Sequence, residues 1–444
     1  MQATISLVNH ASVKLGFGKE VILTDPWYSG PVFHKGWQLI HPLNESEILN
    51  SIKDVNYIYI SHEHPDHFYP GFFLNNKIKD VLTKNKVKIL FQHTKDKRVL
   101  DFLEKKNFEV IEIKENDRYN ISSNINIQII KSGYIDSALI IETPEKKIVN
   151  LNDCPLNEPE KIKKFKNKHG KFDILLSQFS YAAWKGGKNN SEYRKIAAEE
   201  KIRTMINQYK ILGCKHVIPF ASFVYFSNEL NNYMNDCINK PENLIKKLGN
   251  EINAIILSPG EKQSLHELRQ NQDSLTFWKD KYKQIPNLPI DKYSKSIAYE
   301  ELKKDYQAYK NRILKINSKI LIYLASKIKF LNYFQPINIF LIDHNENYEF
   351  SLIKDFKINK NVEPDIKMHS ESLQFIFKNN FGFDTLTVNG CFESSKEGFL
   401  KTTKTFAIGT LNSMGLKLNL SLLFNIKLIF FFIGLLKKVA KKLK

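Results

Sequence analysis

Cysteine is scarce, and its spacing says more than its number. The 444 residues carry four, Cys154, Cys214, Cys237 and Cys391, and no two form a CxxC pair. That argues against a disulfide framework and against a thiolate zinc or iron–sulfur centre. Arginine is scarce for a chain so basic. Lys and Arg total 66 against 47 acidic residues, a net charge of +19, yet only Arg98, Arg118, Arg194, Arg203, Arg269 and Arg312 are Arg. Bidentate phosphate and base-edge contacts favour Arg, so a Lys excess spread along the chain predicts no nucleic-acid partner. It leaves a positive field suited to anionic substrates or an anionic membrane surface. The first residues, MQATISLVNHASVKL, lack a basic region followed by an apolar run, so no secretory leader is expected and a reducing cytoplasm is.

Long apolar runs are also missing near the C-terminus. Leu416–Leu436 is interrupted by Lys417, Asn419, Asn425 and Lys427, leaving the short run Leu428–Leu436. A membrane span needs about 20 residues. Lys437, Lys438, Lys441, Lys442 and Lys444 follow. This pattern fits a basic amphipathic tail helix, lying on the inner membrane surface or docked on the protein's own core.

What is present is a globular composition, with 42% hydrophobic and 12% aromatic residues, enough for several domains. Ile5, Leu7, Val13 and Leu15 predict one short strand, and Val21–Leu23 the next. Tyr57–Ile60 predicts a buried strand. Alternating strands and helices follow, among them strands at Val87–Phe91, Phe108–Ile113, Ile125–Ile130, Ala138–Glu142, Lys147–Leu151, Ile174–Leu176, His216–Phe220 and Ile255–Leu257, and a long helix at Glu192–Leu212. The pattern is mixed α/β rather than a regular βαβ array. Residues 266–335 are expected to form a helical connector and 336–410 a smaller α+β domain, with a strand at Asp384–Phe392. Residues 411–444 form the tail.

The chemistry concentrates directly after Tyr57–Ile60, in Ser61-His62-Glu63-His64-Pro65-Asp66-His67. Three imidazoles and a carboxylate in one loop are hard to justify structurally, and a metal accounts for all four. Nitrogen and carboxylate donors suit zinc, iron or manganese. One ion or two, the latter about 3.5–4 Å apart, can activate water or clamp oxygen ligands. Asp66 is also a candidate for handling a proton.

At this point the sequence resembles the metallo-β-lactamase superfamily, whose signature is HxHxDH after a strand. Further motifs resemble the metal-binding catalytic domain of the CMP-N-acetylneuraminate hydroxylase family: Asp25-Pro26-Trp27-Tyr28-Ser29-Gly30, Gly36-Trp37, Asp136–Glu142, Leu151-Asn152-Asp153-Cys154, Gly186-Gly187-Lys188 and Pro219-Phe220-Ala221. The resemblance covers about residues 5–265. It implies an αββα sandwich over 1–265. It also implies a metal site of His62, His64, Asp66, His67 and, as bridging carboxylate, Asp153. The histidine expected before Asp153 is missing, and either Asp136 or His93 stands in. The last histidine is also missing from Ile218–Ser222, and His216 is read as a strand residue facing the core. The implied substrate is an anionic sugar or nucleotide-sugar, with Trp37, Trp184, Lys185 and Lys188 as substrate contacts. Metal-activated oxygen or water would act on it. The family's Rieske pattern, CxH…CxxH, does not occur, so no iron–sulfur cluster is expected in this chain, and an oxygenase would draw electrons from another protein. The competing expectation is a hydrolase of phosphodiesters or lactones.

Overall fold

The computed structural model describes residues 3–328, 333–360, 362–413 and 415–419, which divide into two units. The first comprises Met1–Lys185 and Asn190–Asp291, the second Gly186–Asn189 and the chain from Lys292. The first therefore passes the expected boundary at 265. The reason is the helix Gln272–Lys283, whose Trp278 stacks on Phe223 at 3.9 Å and donates its indole N–H to the Leu257 carbonyl at 2.8 Å.

The strands of the first unit are β1 (Ala3–Asn9), β2 (Ser12–Phe17), β3 (Glu20–Thr24), β4 (Trp37–Leu39), β5 (Tyr57–Ile60), β6 (Lys88–Gln92), β7 (Glu109–Ile113) and β8 (Tyr119–Ser122). Then come β9 (Ile125–Ser132), β10 (Asp136–Glu142), β11 (Lys147–Asn150), β12 (Ile174–Gln178), β13 (His216–Phe220), β14 (Val224–Phe226) and β15 (Lys262–Ser264). They form one sheet in the order β15-β1-β2-β3-β5-β6-β7 and another in the order β13-β12-β11-β10-β9-β8. β4 and β14 pair as a short ladder with Trp37 opposite Phe226.

β5 shows why its residues make a strand covered on both faces. Ile58 and Ile60 pack into an apolar layer with Ile48, Ile52, Phe72, Phe73, Ile78, Leu82, Val99 and Leu103 of the helices outside the first sheet. Each such side chain contributes about 1.5–3 kcal/mol when fully buried. Tyr59 points the other way, and its hydroxyl meets Ser137 Oγ of the second sheet at 2.8 Å. The second sheet is covered in turn by the helix Ser191–Leu212, whose Gln208 accepts from Ser177 at 2.6 Å. Helices thus flank two apposed sheets, the αββα arrangement.

Three features of this unit differ from the sequence expectation. The first strand is two strands, broken at His10, which adopts φ 38° in the turn between β1 and β2. Ile255–Leu257 is buried but forms no strand, because its segment pairs with β13 only through the bridge Val217–Ala254. His216 opens β13 half-buried rather than facing the core.

The topology also sets one working edge. β3, β5, β6 and β7 run parallel, as do β11, β12 and β13. β1 is antiparallel to β2, and β2 to β3, so β1 ends at the same edge as β3. Ligands gather outside the carboxyl ends of parallel strands because the chain leaves the sheet there in loops. Here those ends deliver His10, Asp25, Ser61–His67, Asp153 and Gln178.

The second unit holds a five-stranded sheet from β16 (Ile337–Leu341), β17 (Glu346–Phe350), β18 (Lys357–Ile358), β19 (Ile366–Met368) and β20 (Phe392–Glu393), in the order β18-β17-β16-β19-β20. The helix Tyr299–Ile316, expected in a connector, belongs to its core: Tyr306 and Tyr309 pack against Phe350 and Phe377. The expected strand Asp384–Phe392 is mostly the helix Gly382–Asn389. It buries Phe383 and Leu386 at helical spacing and stops at Gly390, φ 69°. No helix among the described residues is long and apolar enough to cross a membrane. The expected tail falls mainly at 420–444, outside the described residues.

Candidate metal centre

Proline ends β3 after Asp25, and the loop after β5 turns back so that His67 lies over it. Asp25 is buried at φ 37° and accepts three hydrogen bonds, from Ser61 N–H at 2.7 Å, Ser61 Oγ at 2.8 Å and His67 Nδ1 at 2.9 Å. A carboxylate that takes Nδ1–H turns Nε2 outward as a donor atom, the orienting role such groups play for metal-ligating histidines. His67 Nε2 accordingly stands 3.4 Å from Asp66 Oδ2 and 3.3 Å from Asp153 Oδ1.

His62 Nε2 lies 2.9 Å from His64 Nδ1 and 3.7 Å from Asp136 Oδ1. His62, His67 and Asp153 form one group of donor atoms within metal-binding reach, and His10, Asp66 and His67 form another. Gln178 donates its amide to Asp153 and takes a hydrogen bond from Lys201 Nζ at 2.7 Å.

The electrostatics fit a cation. Burial alone would push His67 down, but Asp66, Asp153 and Asp25 outweigh it and hold the imidazole well above its usual range. Burial also opposes ionisation of Asp66, and His67 and His10 overcome it, so that carboxylate is held well below its usual range. An ionised Asp66 fits the role of a metal ligand. Burial, reinforced by Asp153, pushes Asp136 up to about 7. Burial, with His67 and His64 beside it, keeps His62 neutral, the form a metal requires. Asp66 Oδ1 and His67 Nε2 are buried without a hydrogen-bond partner. Orphaned buried polar atoms are costly, and a divalent ion between these N and O donors would satisfy them.

The expected ligands His62, His64, Asp66, His67 and Asp153 are thus brought together, and Asp136 joins them. His93 does not. Its ring is 45% exposed and lies 3.5 Å from Glu112, because β6 ends before it and the chain turns toward the surface. Of the expected substrate contacts, Trp37 is buried and lines a narrow cleft that opens onto His10, Asp66 and Asp153, with Tyr181 and Phe226 among its other walls. Lys185 and Trp184 lie on the loop after Tyr181 and are half-buried. Lys188 belongs to the second unit, where its N–H donates to Glu393 at 3.3 Å. Cys154 is buried with a thiol pushed up by burial, so it is no nucleophile.

Sequence reasoning missed His10, Asp25, Gln178 and Lys201 as parts of this site. Asp25 stands in the sequence only as part of a family motif with no role assigned, and His10 falls inside a stretch expected to be one strand that the structure divides.

The two sheets with their flanking helices have the αββα architecture of the metallo-β-lactamase fold, and the His and Asp donors gathered at its edge are placed to hold divalent metal. No family model matches the chain. The sequence is similar to cytidine monophosphate-N-acetylneuraminic acid hydroxylase of Danio rerio, 24% identical over 253 residues, which are 53% of this chain and 40% of that protein. The chain thus spans less than half that relative's length. Among solved structures, CmlA, a diiron β-hydroxylase from Streptomyces venezuelae, matches with a TM-score of 0.41 and 13% identity over 60% of this chain and 54% of that one. An isothiocyanate hydrolase from Delia radicum gut bacteria matches with a TM-score of 0.42 and 14% identity over 59% and 98%.

Proposed function

We propose that the chain carries the metal-site domain of a hydroxylase acting on an anionic sugar, free or nucleotide-linked. The observation that carries this is a buried His–Asp centre at the floor of an aromatic-walled cleft, in a sequence similar to a nucleotide-sugar hydroxylase. The metal, when bound, supplies activation of dioxygen if it is iron, or of water if it is zinc.

The chain's own groups do the rest. Asp25 and Ser61 hold His67, and Lys201 holds Gln178 against Asp153. Trp37 meets Phe226 edge to face and Tyr181 stacks on Phe226, which gives the cleft aromatic walls suited to a base or a sugar face. Burial, and then the Lys201 ammonium nearby, weakens the hold of Lys185 on its proton. Two ammoniums so placed attract a carboxylate or phosphate, which makes Lys185 a substrate contact, with Trp184 on the same loop. Hydroxylation with dioxygen takes up two electrons and two protons, places one oxygen in the product and releases the other as water. The electrons come from a reductant outside this centre.

The test is isotopic. Iron-loaded, chemically reduced protein is given free and CMP-linked anionic sugars under 18O-labelled dioxygen. One labelled oxygen in the product is the expected result. No labelled product, with cleavage of phosphodiesters or lactones by the zinc form, would overturn the reading in favour of a hydrolase.

A further inference from the structure

His10 reaches the centre from a part of the chain remote from the HxHxDH loop. The Ala221 N–H donates to the His10 carbonyl at 2.8 Å, so the turn after β1 lies against the end of β13. Both residues take left-handed backbone conformations, φ 38° at His10 and 51° at Ala221, and both line the cleft. Such conformations are uncommon away from glycine and persist where the surroundings impose them. The end of β13 itself, Pro219-Phe220-Ala221-Ser222, offers no imidazole or carboxylate.

The His10 ring is 2% exposed and stands edge-on to Trp27, with centroids 5.4 Å apart. Its Nε2 is 3.3 Å from Asp66 Oδ2, and the same oxygen is 3.4 Å from His67 Nε2. Donors about 2.1 Å from a tetrahedral metal stand about 3.4 Å from one another. Asp66 Oδ1, His67 Nε2 and His10 Nδ1 are buried without hydrogen-bond partners. A lone hydrogen bond from His10 to Asp66 would leave Asp66 Oδ1 and His67 Nε2 unsatisfied, whereas a metal between the three side chains takes up both.

We propose that His10 is a protein ligand to the metal held by Asp66 and His67, supplied from the β1–β2 turn because the end of β13 has no donor to give. The centre then divides into two sets, His62, His64 and Asp136 on one side and His10, Asp66 and His67 on the other, with Asp153 between them. This assignment rests on the metalloenzyme reading, and its test separates the two.

The full chain is stripped of metal and reloaded anaerobically with cobalt(II). Bound metal is counted by mass spectrometry, and the ligand field is read from visible absorption. The unmodified protein binds two ions per chain. His10→Gly keeps the φ of the turn without strain, and it binds one, with loss of part of the visible absorption. His10→Asp returns an oxygen donor and recovers the second ion with an altered spectrum. Unchanged melting temperatures of the metal-free variants show that the fold survives. Two ions and an unchanged spectrum in His10→Gly overturn the assignment and leave His10 as an Asp66 partner only. One ion in the unmodified protein, untouched by His10→Gly, overturns it as well. Failure of the unmodified protein to bind any metal brings down the metalloenzyme reading itself.

Discussion

His67 Nδ1 lies 2.9 Å from Asp25 Oδ2, and this contact joins the end of β3 to the loop after β5. The two segments are adjacent because β3 and β5 pair in parallel. Asp25 therefore acts on the centre through His67, without facing the donor atoms itself.

Asp25→Asn keeps the side-chain shape and tolerates the positive φ, but it removes the charge that fixes the imidazole. Metal affinity is expected to fall about 10–100-fold, measured by competition with a chromophoric chelator. Affinity equal to that of the unmodified protein would show that Ser61 alone orients His67.

Metal removal should cost stability. Carboxylates and imidazoles crowd one buried site, and an ion that binds only the folded state at about a thousand times its Kd adds about 4 kcal/mol. A chelator should lower the Tm of the unmodified protein. The variant carrying both His64→Ala and Asp153→Ala should contain no metal and show no shift. A full metal complement in that double variant would mean that these two residues are not ligands.

Trp37 separates packing from recognition. Its ring packs on Phe33 and Phe226 at 4.7 and 5.8 Å. Its indole nitrogen is buried with no hydrogen-bond partner. Trp37→Ala is expected to destabilise by about 3–5 kcal/mol. Trp37→Phe loses no hydrogen bond and should cost less than about 1.5 kcal/mol. The Phe variant should raise KM for substrate more than it lowers kcat. An unchanged KM would remove Trp37 from the substrate wall.

Arg194 is buried on the long helix and grips Asp236 through Nε at 2.8 Å and Nη2 at 2.6 Å. Burial opposes ionisation of Asp236, but the Arg194 bonds outweigh it and hold the carboxyl below its usual range. A carboxyl held low stabilises the fold above its unfolded pKa of about 3.9 and loses that contribution as pH falls. Asp236 reaches solvent, so the charged bonds are worth only about 1–3 kcal/mol. Arg194→Met should be less stable by that amount at pH 7 in denaturant unfolding. The gap should narrow below about pH 4. A gap independent of pH would mean that Arg194 acts by packing alone.

Much of this was readable in the chain, and the reasons are local. Ile58 and Ile60 alternate with Tyr57 and Tyr59, so the strand before the motif is visible from side-chain period alone. His62, His64, Asp66 and His67 crowd one loop, and such crowding has few explanations other than a metal. Asp153 could be matched only through neighbouring motif residues, and Asp136 only as one of two substitutes, because both come from the second sheet. The expected strand Asp384–Phe392 carries the β-favouring Thr385 and Thr387, yet Gly382–Asn389 is a helix. The burial of Phe383 and Leu386 against their neighbours overrode that preference.

The sequence by itself determined the strand that carries the motif, the donor types and the mixed α/β architecture, because period and residue chemistry act over a few positions. Only the tertiary structure decided which donors meet. It sent His93 toward the surface beside Glu112. It carried Asp136 across from the second sheet, and through the turn at His10 it brought an imidazole from the first hairpin to Asp66. Those choices depend on strand order and on a single backbone dihedral, and neither leaves a signal in residue spacing.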